Sequence, residues 1–141
     1  MKKFLSLVLV LTLAATAGFA QCDKPVVYHS DKQDRISPDG EVVGSKTDAI
    51  HLAFTKEGVS VEVNEKVEAT ATIKEVDCQW KQLYKEGKAI YKVTFQKPET
   101  GETSEGSLTI EGKDGQLTIL VEMARMEGKK IKLYVSKYEE K

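Results

Sequence analysis

An all-β fold, an antiparallel meander of about eight or nine strands, is what three features of this sequence predict. Apolar residues alternate with polar ones through most of the chain after residue 48, the period of a strand with one buried face. Turn signals containing glycine separate these runs at short intervals, Asp114-Gly115 being the strongest. No convincing helical pattern follows residue 20. Sequential hairpins favour an up-and-down barrel or half-barrel, because closure removes the exposed edges of an open meander. A β-sandwich is the alternative, and the immunoglobulin pattern is a poor match because Trp80 follows the second cysteine.

Met1, Lys2 and Lys3 precede an apolar run from Phe4 to Ala15 and then small residues to Ala20, the order of a secretory signal peptide. Cleavage is expected after Ala20, with Gly18 and Ala20 in the small-residue positions. The ending Phe19-Ala20-Gln21 resembles signal peptides of Bacteroidota. Removing residues 1–20 leaves 21–141, a length that suits a single β domain with a real core and not two domains. The 19 basic and 22 acidic residues that remain give a net charge of -3, which supplies no general drive toward nucleic acid or anionic lipid. A periplasmic or secreted location is expected, with no membrane span once the signal is gone.

Two cysteines, Cys22 and Cys78, in a chain bound for an oxidising compartment predict a disulfide between the mature N-terminus and mid-chain. The competing reading is a lipoprotein acylated at Cys22. Such proteins usually have a small residue where Gln21 stands, and acylation at Cys22 would leave Cys78 without a partner.

Pro25-Val26-Val27-Tyr28 reads as a short edge strand, where proline's missing donor does no harm. Residues 31–48 are polar and read as a surface loop with one short strand at Val42-Val43, turning at Ser37-Pro38-Asp39-Gly40. Ile50, Leu52 and Phe54 then alternate, followed by Val59, Val61 and Val63. A two-residue Glu57-Gly58 loop would pair Phe54 with Val61 and Leu52 with Val63. Val67, Ala69, Ala71 and Ile73 continue at odd positions, whereas Val76, Cys78, Trp80 and Tyr84 fall at even ones. A β-bulge or corner is therefore expected near Lys74-Glu75, dividing the run into two strands.

A Glu86-Gly87 loop would then set Trp80 opposite Val93, Cys78 opposite Phe95 and Tyr84 opposite Ala89. Pro98 to Gly101 ends the next strand. Around Asp114-Gly115, a type I′ turn pairs Ile110 with Ile119 and Leu108 with Val121, so turn chemistry and apolar pattern agree on one register. A three-residue loop at Met126-Glu127-Gly128 would pair Met123 with Ile131, Val121 with Leu133 and Ile119 with Val135.

Candidate chemistry is sparse. His29 and His51 have no neighbours in sequence at metal or triad spacing, and Asp31, Asp34, Asp39 and Glu41 lack the spacing of an EF-hand loop. Met123 and Met126 are a weak basis for copper ligation. No catalytic set, metal site or cofactor is predicted, and the protein is read as not an enzyme. Trp80, Tyr84, Tyr91 and Phe95 fall on one face of two adjacent strands, and so are candidates to line a cavity for a small apolar ligand. The competing reading makes them ordinary core. Leu120, Tyr134 and Tyr138 are read as outward-facing, a candidate contact patch for a cell-envelope or surface protein.

In strand order and turn spacing, residues 48–138 resemble the lipocalin and fatty-acid-binding type of meander barrel. That resemblance implies a calycin-like barrel with a central ligand cavity. The Gly-x-Trp signature that opens many lipocalins is not found here, and no family binding residue carries over.

Overall fold

The computed structural model describes residues 22–141. The expected signal peptide and its cleavage site lie outside the described residues. Eight strands follow in chain order: β1 (Val26–Ile36), β2 (Val42–Phe54), β3 (Gly58–Val63), β4 (Lys66–Gln82), β5 (Glu86–Gln96), β6 (Thr103–Lys113), β7 (Gln116–Met123) and β8 (Lys130–Glu140). A single 3-10 turn, Ala124–Met126, joins β7 to β8. Each strand pairs antiparallel with the next, and β8 pairs back onto β1, so the sheet closes as an up-and-down barrel. Among the described residues, no helix is long and apolar enough to cross a membrane.

The β6–β7 hairpin has the expected register, with Ile110 opposite Ile119 and Leu108 opposite Val121. Asp114 and Gly115 both have positive φ, 51° and 77°, as a type I′ turn requires. Two other hairpins keep the expected faces but slide by two residues. Leu52 meets Val61 and Phe54 meets Val59, because a loop of residues 55–57, closed by the Thr55 N–H donating to the Gly58 carbonyl at 2.8 Å, replaces the two-residue loop. Likewise Val121 meets Ile131 and Ile119 meets Leu133. A two-residue slip leaves every side chain on its own face, so the apolar pattern cannot distinguish the registers.

Larger corrections concern β4 and the N-terminal strands. Residues 66–82 form one strand with a bulge between Ile73 and Glu75, not two strands. The β4–β5 turn lies at residues 83–85, which sets Trp80 opposite Gly87 and Cys78 opposite Ala89. Residues 31–36 and 42–48, read above as mostly loop, are the outer halves of β1 and β2 around the expected turn at residues 37–41. β1 is not an edge, since β2 and β8 flank it over its full length. Ladder hydrogen bonds hold this region, and few apolar side chains are buried along it, so the alternation that marks a strand is missing.

Inward side chains fill the middle of the barrel, where Leu52, Val93, Leu108, Ile110 and Ile119 are fully buried. The two ends differ. Because β3 has only six residues, β4 has no β3 partner beyond Thr72. Cys22 is disulfide-bonded to Cys78 across a Cα separation of 6.1 Å, tying the chain ahead of β1 to this projecting part of β4.

Candidate functional site

At the disulfide end an aromatic cluster plugs the barrel. Tyr28 packs edge-on against Phe54 at 5.4 Å between ring centroids, and Phe54 against Tyr91 at 5.0 Å. Tyr84 sits 6.2 Å from Tyr28, 6.1 Å from Trp80 and 4.5 Å from Tyr138. Desolvation pushes the Tyr91 hydroxyl up to about 12, Asp23 adding to the effect, and burial raises Tyr28 and Tyr84 further. The cluster is therefore neutral in the physiological range.

The opposite end is open. An apolar cavity of about 200 Å³ enters the barrel there, walled by Ile50 and Leu52 of β2, Val61 and Val63 of β3, Ala69 of β4, and Leu108, Val121, Met123, Ile131 and Leu133 from β6 to β8. Small inward residues make this space. Ala69 faces Val61 across the β3–β4 pair. Gly106 leaves room for the Phe95 ring, whose Cε2 lies 2.6 Å from where a Cβ on Gly106 would stand. Phe95 thus packs close against β6 at Gly106 and joins the cavity lining.

Polar groups crown the mouth: Gln33, Glu68, Gln96, Lys97 and Arg125. Gln33 is held by its Nε2 donating to Asp48 Oδ2 at 2.9 Å, while Asn64 Nδ2 donates to Asp48 Oδ1 at 3.0 Å. These two donors, Asn64 foremost, hold the Asp48 carboxyl below its usual range. A wider hollow of about 510 Å³ lies over Tyr84, Leu117 and Tyr138 at the plugged end. It is a surface groove with a more polar lining, so the smaller, more enclosed apolar cavity is the better candidate site.

Of the four aromatics singled out in the sequence, only Phe95 faces this cavity. Trp80, Tyr84 and Tyr91 belong to the plug or its border. The lining residues were legible only as core positions, although Ala69, a small residue at an inward place opposite Val61, marks where space is left.

Leu120, Tyr134 and Tyr138 do not share one face. A bulge shifts the β1–β8 pairing between His29 and Ser30, which puts Tyr138 opposite the inward Tyr28. Tyr134 stays outside and donates from its hydroxyl to Asp34 Oδ2 at 2.7 Å, while Ser45 Oγ donates to Asp34 Oδ1 at 2.7 Å. These bonds, Ser45's first, keep the Asp34 carboxyl below its ordinary 3.8. A depressed carboxylate stabilises the fold fully above its unfolded pKa, and that contribution is lost as pH falls through the lower folded value. Asp34→Asn should therefore lower the urea midpoint at about pH 6, with the gap to wild type closing below about pH 4. A gap that persists unchanged to about pH 2 would show that the charge is not its source.

His29 and His51 lie opposite each other on β1 and β2, with ring centroids 4.3 Å apart and His29 Nε2 3.7 Å from Glu139. Burial, then His51, lowers the His29 pKa. Among the described residues, no group of three histidine, cysteine or acidic side chains is placed to hold a metal ion. No protein-family model matches this chain, nor does any curated protein or solved structure.

Proposed function

We propose that this protein is a periplasmic or secreted carrier or sensor that takes a small apolar molecule into the open end of its barrel. One observation carries the reading: half-buried Val61, Val63, Met123 and Ile131, packed on the edge of the core, line an apolar cavity open at one end of the barrel, while the opposite end is plugged by aromatic rings. Apolar side chains left around a space gain by burial against an apolar guest. A lipocalin-like role fits the same architecture, and the disulfide suits an oxidising compartment. The role proposed is binding, not catalysis.

Met123 is the reporter for the test. It lines the cavity, whereas Met126 sits in the 3-10 turn outside it, so methyl-labelled methionine separates the two positions by NMR. Titration with 1-hexanol should shift the Met123 methyl saturably and leave Met126 in place. Ala69→Leu, which adds bulk to the cavity wall, should weaken the response at least tenfold. An unresponsive Met123 in the folded wild-type protein, with related alcohols equally silent, would overturn the reading. Trp80 emission is a poor substitute, because the tryptophan does not line the cavity.

A further inference from the structure

We propose that the ligand is a small anionic amphiphile whose apolar tail enters the cavity while its head stays at the mouth, held by Lys97 and Arg125. This inference rests on the binding role proposed above. Size is the first argument. At about 200 Å³ the cavity lies below the range of about 300–1,000 Å³ typical of sites that engulf a drug-sized ligand, so it takes a short chain or a single ring and leaves a larger molecule's remainder outside.

The second argument is charge. Lys97, at the end of β5, and Arg125, in the 3-10 turn, are the two cations of the lining, against the single carboxylate of Glu68. They stand on one side of the mouth. The Lys97 N–H donates to the Glu102 carbonyl at 2.9 Å, and Arg125 Nη1 lies 3.4 Å from Glu102 Oε2, so Glu102 links both positions. Arg125 is partly neutralised by that contact, whereas Lys97 makes no ion pair among the described residues. A head group at the mouth therefore meets an unpaired ammonium beside a guanidinium that keeps further donors to offer. Deeper in, the walls are hydrocarbon and would exclude a charge, which keeps the head at the rim.

Hexanoate, 1-hexanol and hexylammonium share a tail and differ in head, so their affinities at the Met123 methyl isolate the head group. Hexanoate should bind about fivefold or more tighter than hexylammonium at low salt, the factor expected of one partly exposed charge contact, and the gap should shrink as ionic strength rises. Lys97→Gln should remove most of that preference and Arg125→Gln part of it, each with an unchanged urea midpoint as the check on folding. Hexylammonium binding as tightly as hexanoate, or a preference that survives the double variant, would overturn the anionic-head inference while leaving the cavity reading intact. Silence of Met123 toward all three would overturn both.

Discussion

Replacing Cys22 and Cys78 together with alanine is expected to lower the unfolding free energy by about 4 kcal/mol. The bond spans 56 residues, and in the loop-entropy account a closure of that length removes about this much freedom from the unfolded chain, the figure being an upper one because residual structure reduces it. Geometry adds a local effect. Short β3 leaves the projecting part of β4 paired only with β5, and the cystine is the covalent tie between that part and the chain entering β1. Urea unfolding of the double variant, compared with the oxidised parent at equal m-value, measures the loss. A difference under about 1 kcal/mol would mean that the aromatic plug holds this end by itself. The Met123 cavity lies at the other end, so ligand response should survive wherever the variant remains folded.

Gly87→Val should be at least as damaging, destabilising by about 4 kcal/mol or more. Gly87 has φ +115°, a region β-branched residues avoid, and a Cβ there would meet the Gln79 carbonyl oxygen and stand 2.8 Å from the Trp80 Cα. Both obstacles are main chain of the paired strand, so neither can swing aside, and overpacking adds to the torsional cost. Gly115→Val makes the useful contrast. It also has positive φ, at +77°, but nothing stands within 4 Å, so strain alone applies and about 1 to 3 kcal/mol is expected. Equal denaturation midpoints for the two variants would show that the collision at Gly87 is relieved by backbone movement. Gly128→Val belongs with Gly115, since its φ is +85° and its nearest neighbour is the Pro38 side chain at 3.4 Å.

Much of this contrast could not be anticipated from residue order. Gly87 reads as a hairpin glycine beside Glu86, yet it sits inside β5 opposite Trp80, two residues past the end of the turn. Tyr84 occupies that turn with φ 62°, held by rings on three sides. Local turn chemistry favours glycine at the reversal, and tertiary packing of the aromatic cluster prevails over it.

What residue order determined by itself was the strand class, the faces of strands without bulges such as β6 and β7, and the cysteine pair. Alternation at period 2 assigns Leu108, Ile110, Ile119 and Val121 to the core regardless of what they pack against, and an Asp-Gly turn sets one register because both of its residues tolerate positive φ. Two cysteines in an expected exported chain leave one intramolecular pairing. Only the closed barrel decided the rest. Registers that differ by two residues share a face, so the β2–β3 and β7–β8 pairings were settled by loop hydrogen bonds and by neighbours across the sheet. The polar halves of β1 and β2 became strands because ladders on adjacent strands supplied partners that side-chain pattern does not record. The cavity is the clearest case. Whether inward residues fill a barrel or leave space depends on volumes summed across eight strands, so Ala69 and Gly106 acquire their meaning only when Val61, Phe95 and Met123 are brought around them.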